Sequence, residues 1–380
     1  MAYIVTIHHL HRSLPLVCFW LLFTGSLFAQ STSGALPIGD AGVAGFDVKQ
    51  LNATLNRFEA DVPSIGAVLV WRHQKLVAQR YYNGTTASTP FDIKSATKCI
   101  LSALVGIKKN TGTFPDLNTP VYTLFPEMSD RMAVGDELWY HDYVKQQEQY
   151  KKQLTLQHLL SMQTGQLWED NNPLIHRAFQ CSSNPTRFVL DLPYTQAPGA
   201  AFLYCTGACQ VVSHVLYKAH GGDYRRWADT VLFSKTGMKV ARWPVDANRV
   251  PAGGAAIEMD AESFMRFGIL FLQKGKWNNA VVVPEEWVQQ CWAVQTKLDA
   301  WDVLPGANGY GYYWWRRLSH GHQVYVASGY GGQLICVVPT LDLVVTTLCY
   351  INEKNRGRAD IKRLHGVIDG VIQNLLRTQK

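Results

Sequence analysis

Between residues 67 and 82 the apolar positions fall into two strand-length runs, Ala67-Val-Leu-Val-Trp71 and Leu76-Val-Ala-Gln-Arg-Tyr-Tyr82, separated by the polar stretch Arg72-His-Gln-Lys75. Short runs rich in β-branched and aromatic residues, broken by a polar turn, predict a β-hairpin. A second group of such runs lies near the end of the chain: Gly311–Arg316, Gln323–Ala327, Gln333–Val338 and Leu343–Tyr350. Helical spacing of apolar residues instead marks Asp47–Glu59, Thr155–Met162 with Thr155 as its cap, Ala208–His220 and Tyr224–Phe233. It marks Ala261–Lys274, Pro284–Gln290 and Ala359–Leu376 as well. Asp116–Pro126 reads as a proline-punctuated loop and Glu137–Gln153 as a charged insertion. Early and late strands thus bracket a helical middle, and the short connections between the late strands favour antiparallel pairing. The pattern predicts an α+β fold: an antiparallel sheet flanked by helices, with a mostly helical insertion and no internal repeat.

The beginning of the chain follows a different pattern. Arg12 and nearby histidines lead into Leu14-Pro-Leu-Val-Cys-Phe-Trp-Leu-Leu-Phe-Thr-Gly-Ser-Leu-Phe-Ala29, and a polar stretch starts at Gln30. This predicts a secretory signal peptide over residues 1–29, cut after Ala29, and a linker over 30–46. The alternative is an uncleaved anchor, for which the apolar run is short. Residues 47–380 then make one domain, with a sheet part at about 47–125 and 245–380 and a helical part at about 126–244. The chain is 47% hydrophobic and only 17% charged, which suits a well-buried globular enzyme. The net charge is +7, but Lys and Arg are scattered and not interleaved with aromatics, so no nucleic-acid footprint is present. Of the eight cysteines, Cys18 lies in the signal segment. Cys99, Cys181, Cys205, Cys209, Cys291, Cys336 and Cys349 remain, an odd set that leaves room for one or two disulfides in an oxidising compartment. Cys205 and Cys209 read as packed thiols rather than metal ligands.

Candidate chemistry starts at Ser95-Ala-Thr-Lys98, which opens the apolar run Cys99–Ile107. Residues three apart share a helix face, so a hydroxyl and an amine are set side by side at the first turn. An amine in a partly dry site can lose its charge and act as a base, which makes the neighbouring hydroxyl a nucleophile. The N–H groups of the helix start can stabilise an oxyanion. No Gly-x-Ser-x-Gly elbow occurs in the chain, which argues against an ordinary α/β-hydrolase. His320 and His322 flank a glycine and read as a solvated turn, and His158 reads as a core histidine. No metal or other cofactor is implied.

Three further segments follow Ser95 in order: Thr155-Leu-Gln-His-Leu-Leu-Ser-Met-Gln-Thr-Gly165, Pro198-Gly-Ala-Ala-Phe-Leu-Tyr-Cys-Thr206 and Ala327-Ser-Gly-Tyr-Gly-Gly-Gln-Leu-Ile335. Together with Pro251-Ala-Gly-Gly254 and Tyr310-Gly-Tyr-Tyr-Trp-Trp315, this order resembles the serine hydrolase family of class C β-lactamases and penicillin-binding proteins. It is most similar to the branch of esterases and 6-aminohexanoate-dimer hydrolases, and the likeness runs from about Ala67 to Tyr350. The resemblance implies a β-lactamase/transpeptidase-like fold with Ser95 as acylating nucleophile, Lys98 as its helix partner and Tyr204 as proton carrier. It also implies that Ala327-Ser328-Gly329 is the third motif, and that the N–H groups of Tyr330 and Ser95 form the oxyanion hole.

Two positions depart from the family's pattern. Thr206 stands where the β-lactamases carry asparagine, and Ala327 replaces the third-motif cation that helps hold a substrate carboxylate. Lys235-Thr236-Gly237 spells that motif letter for letter, yet it follows a helical pattern, where Gly237 reads as a C-terminal cap. Trp168 follows the Gly165 turn and either stacks on substrate or belongs to the core. Tyr330 narrows the cleft above Ser95. Two classes of function follow. One is an exported serine hydrolase acting on a small ester or linear amide, with a β-lactamase or D-Ala-D-Ala carboxypeptidase as the alternative. The other is a binding protein that kept the fold and lost turnover. The substrate and oligomeric state stay open.

Overall fold

The computed structural model describes residues 34–128, 141–298, 304–350 and 361–378. The signal peptide expected over 1–29, the start of the linker, residues 137–140 of the charged insertion and 359–360 of the last helix lie outside them. Seven strands form one antiparallel sheet: β1 (Ile65–Arg72), β2 (Lys75–Tyr81), β3 (Ala307–Tyr310), β4 (Trp315–Ser319), β5 (His322–Gly329), β6 (Gln333–Val338) and β7 (Leu343–Cys349). Their spatial order is β2-β1-β7-β6-β5-β4-β3, so the late strands join the early hairpin through β1 and β7, paired from Ile65↔Cys349 to Arg72↔Leu343. Five of the helices frame the sheet and the site: α1 (Val48–Asp61), α2 (Thr97–Asn110), α3 (Thr206–His220), α4 (Ala261–Leu272) and α5 (Ile361–Thr378).

Every residue of β1, β6 and β7 is buried because helices cover both faces, which is why these strands read as unbroken apolar runs rather than alternating ones. Helix α4 lies on β1, β6 and β7, and it approaches so closely at Gly268 that a Cβ there would sit 2.5 Å from Ile335. Helices α1 and α5 pack together on the other face. There Arg317, 1% exposed, donates to both carboxylate oxygens of Asp369 (2.5 and 3.2 Å), and Ser319 donates to Asp369 at 2.6 Å. Removing one partner of a buried ion pair leaves an uncompensated charge, at a cost of about 3–5 kcal/mol. Asp369→Asn is therefore expected to lower the urea midpoint markedly while the folded protein keeps its activity; an unchanged midpoint would show that the pair holds nothing. His365, enclosed beside this pair, is pushed down to about 3 by burial and by the Arg317 charge. Its neutral ring supports the fold at neutral pH, and that support is lost as pH falls from the ordinary histidine range towards 3.

The structure revises several sequence expectations. The first hairpin turn is shorter than the polar stretch suggests, because His73 and Gln74 both take positive φ (48° and 59°) and make a two-residue turn that matches strand twist. Gly311–Arg316 does not form one strand. Residues 311–314 are the turn between β3 and β4: Gly311 N–H donates to the Trp314 carbonyl at 2.8 Å and Tyr313 takes φ 68°. A Cβ on Gly311 would lie 1.9 Å from the Cys291 carbonyl, so close packing overrides the strand propensity of the aromatic run. Within the 116–126 loop, Val121–Leu124 forms a helical turn, and the charged insertion continues as a helix over His141–Gln153. The helix expected over Tyr224–Phe233 extends to Thr236 with a wide π turn at Asp229–Phe233. His158 is a half-buried member of a capping box rather than a core residue: Thr155 Oγ1 accepts from its N–H, and its ring accepts from the Thr155 N–H. Among the described residues the cysteines form no disulfide: Cys181 is exposed and Cys99, Cys205, Cys209, Cys291, Cys336 and Cys349 are buried as thiols. His320 sits in the tight turn between β4 and β5, and His322 bonds Thr340. Among the described residues, no helix is long and apolar enough to cross a membrane.

Candidate active site

Ser95 lies in a short 3-10 turn, Lys94–Ala96, that runs directly into α2. The turn is entered through Lys94 at φ 52°, a left-handed conformation that costs a non-glycine residue energy and persists only where the surroundings impose it. Asp92 does so, accepting from the Lys94 N–H at 2.8 Å and from its Nζ at 2.7 Å. Ser95 is left half-exposed while α2 is buried from Thr97 to Ile107. One turn along, Lys98 is 1% exposed and its Nζ donates to Ser95 Oγ at 2.8 Å and to the Gly254 carbonyl at 2.7 Å.

Tyr204 comes from the extended segment before α3. Its ring stacks on Trp315 with centroids 5.6 Å apart and lies 4.9 Å from Lys98 Nζ. It is close enough to Ser95 and Lys98 to interact electrically with both. Burial works against the Lys98 ammonium, but Tyr204, Cys209 and Asp170 outweigh it and its pKa is raised. Burial also raises the Tyr204 phenol, against the pull of Lys98. These effects favour the ammonium, against the expectation of a lysine that sheds its charge in a dry site.

Strand β5 packs its end against the Ser95 turn. The contact needs glycine at 329, where a Cβ would lie 2.2 Å from the Ile93 carbonyl. Ala327 is buried, Ser328 is half-exposed and Tyr330 is 45% exposed at the start of the following turn. Thr206 is the first residue of α3; its methyl group packs on Gly254 and its N–H donates to Asp170 Oδ1 at 3.0 Å. Trp168, 3% exposed, packs edge-on against Phe179 and His176 and donates Nε1–H to Asp170 at 2.9 Å. It is a core residue, the second of the two alternatives open from the sequence, and it holds Asp170 rather than forming a platform for substrate. Lys235 and Thr236 end a helix, and Gly237 is its left-handed cap at φ 73°, so the letter-perfect motif is a helix terminus. Arg317 is turned to Asp369. Arg316 bonds the Trp292 carbonyl and Gln323 and lies over the Tyr325 ring.

Two contributors escaped the sequence reading. Gly254 supplies the carbonyl that holds Lys98, in a loop fixed by Gln210 Oε1 on the Gly253 N–H (2.9 Å) and by Ser213 on the Pro251 carbonyl (2.5 Å). Its signal was the glycine pair, since a Cβ on Gly253 would lie 2.3 Å from the Cys209 carbonyl. Asp170 supplies a carboxylate to the site, with only its place after Trp168 as a signal.

No curated protein matches the chain in sequence. Among known structures, a candidate 6-aminohexanoate-dimer hydrolase from Bacillus anthracis has the same fold with a TM-score of 0.70 at 17% identity, over 92% of this chain and 89% of the other. EstCE1, a hydrolase with promiscuous acyltransferase activity, gives 0.66 at 16% identity over 87% of this chain and 99% of its own. A penicillin-binding protein homologue from Caulobacter crescentus gives 0.64 at 13% identity, over 89% and 98%. At these identities the likeness is one of fold. The β-lactamase family matches residues 52–368, well over half of the sequence, and the chain belongs to that family.

Proposed function

We propose that the protein is an exported serine hydrolase that forms an acyl-enzyme on Ser95 and hydrolyses an ester or a linear amide. The observation that carries this reading is the 2.8 Å contact from Lys98 Nζ to Ser95 Oγ, with the Tyr204 ring 4.9 Å from Lys98 Nζ. In the reactive form the pair has lost one proton. The Tyr204 phenolate, stabilised by the Lys98 ammonium, takes the Ser95 proton as Oγ attacks the carbonyl, then delivers it to the leaving alcohol or amine. Water enters by the same relay in reverse and releases the acid. The N–H groups of Ser95 and Tyr330 receive the oxyanion, and the close approach at Gly329 supports that pairing. The helical part supplies Tyr204 and the sheet part supplies Ser95 and Ser328, so the proposed division at about 126–244 puts the site between the two. Export rests on residues 1–29 as a signal peptide, and a mature protein beginning at Gln30 is the expected result of N-terminal sequencing.

Labelling with a fluorophosphonate, followed by intact-mass detection over esters, linear amides and penicillins, tests the reading. Turnover of esters or linear amides through a transient adduct on Ser95 is expected. A long-lived penicillin adduct would favour a penicillin-binding protein, and no adduct with any probe would favour a binding protein.

The substrate class follows from Ala327. A lysine there would give a carboxylate a charge-assisted bond worth about 1.5–3 kcal/mol, and Arg316 and Arg317 are both turned to other partners. A neutral carbonyl is served by Ser328 and backbone donors, whereas a carboxylate is held poorly. A chromogenic short-chain ester is expected to surpass a chromogenic cephalosporin in kcat/KM. Folded Ala327→Lys should raise cephalosporin turnover about 10–100-fold. A parent that prefers the cephalosporin and gains nothing from the lysine overturns this inference.

A further inference from the structure

We infer that Asp170 is the positioning residue of the Lys98–Tyr204 pair and that His176 is its counter-charge, an inference that rests on Ser95 being the nucleophile. Two donors converge on Asp170 Oδ1, Trp168 Nε1 at 2.9 Å and the Thr206 N–H at 3.0 Å, and His176 Nε2 lies at ion-pair distance, 3.7 Å. Thr206 is only two residues beyond Tyr204, at the first turn of α3, where a carboxylate is favoured by the exposed N–H groups of the helix start. Asp170 therefore ties down the segment that delivers the phenol. The tie is rigid because Trp168 is itself enclosed by Phe179, His176 and Val189, and because the Cα of Gly207 runs against the indole.

The second effect is that of the charge. The titratable groups that feel Asp170 are Lys98 on α2, Tyr204, Cys205 and Cys209 at α3, Tyr310 on β3 and His176 on the short helix Pro173–Cys181. Burial would push the carboxyl up, but His176, Lys98, Trp168 and Thr206 hold it far below the usual carboxylate range. It stays ionised, and it raises both Lys98 and Tyr204. His176 is raised in turn, first by its bond to Asp170. As pH falls through that raised range the histidine gains a proton, and the Asp170–His176 pair goes from one negative charge to none.

The test is the rate of fluorophosphonate labelling of Ser95 against pH in the parent, Asp170→Asn, Asp170→Ala and His176→Gln. Asn keeps an oxygen for the Thr206 N–H and removes the charge, so the acid limb of the profile should move to lower pH. Asp170→Ala also frees the Thr206 N–H and should slow labelling about 10–100-fold at the parent's optimum. His176→Gln leaves the carboxylate uncompensated at every pH, so labelling should fall below the parent's only at the low pH where the parent's His176 is protonated, and the two rates should coincide above it. Superimposable pH profiles for parent and Asp170→Asn overturn the inference, as does a His176→Gln rate equal to the parent's at the low pH where His176 is protonated, which decides alone if the Asp170 variants do not fold. A parent that is not labelled at Ser95 at any pH overturns the serine hydrolase reading instead.

Discussion

Ser95→Ala is expected to abolish covalent labelling and to lower kcat by a factor on the order of 10⁶, the loss typical when a serine nucleophile is removed. The fold should be intact. Ser95 is half-exposed in a turn whose shape is set by Lys94 and Asp92, so the substitution removes one oxygen from the cleft and no core contact. Lys98 keeps its bond to the Gly254 carbonyl, which holds the amine in place without the serine. Lys235→Ala is the matched control. It alters the same motif letters at a helix terminus capped by Gly237, and activity should stay within a few-fold of the parent. Labelling that survives in Ser95→Ala would sink the nucleophile assignment, and loss of activity in Lys235→Ala would return the second motif to consideration.

The parts of this site that were legible in the sequence are those fixed by local spacing. Ser95 and Lys98 are three residues apart on a helix, and their contact follows from helical geometry alone. The strands β1, β6 and β7 were visible as apolar runs because both faces of the sheet are covered there. What escaped the sequence depends on contacts between distant segments. The Gly254 carbonyl is 156 residues from Lys98, and no pattern in Pro251–Gly254 says which amine it will hold. Asp170 reaches Thr206 across 36 residues, and its carboxylate joins Tyr204 and Cys209 in favouring the charged Lys98. Burial alone argued for a neutral amine; Tyr204, Cys209 and Asp170, brought together from segments that spacing does not connect, act the other way. The aromatic run Tyr310–Trp315 failed in the other direction, since its strand propensity was real but a close approach to Cys291 imposed a turn.

Lys98→Ala and Tyr204→Phe should each slow acylation by about 10²–10⁴, the range in which positioned proton transfer contributes. The double variant should be little slower than the worse of the two. A phenolate that takes the serine proton and an ammonium that stabilises it act on one proton, and residues that work as a unit are strongly non-additive. The residual activity carries a second signature. Lys98 pulls the Tyr204 pKa down, so without the ammonium the phenol ionises less readily, and the acid limb of the Lys98→Ala profile should move to higher pH. Tyr204→Phe should instead lose that limb, because the group that titrates is gone while the ring still stacks on Trp315. Strictly multiplicative losses in the double variant, or an acid limb that persists in Tyr204→Phe, would show that Tyr204 only shapes the cleft and that the proton leaves Ser95 by another route.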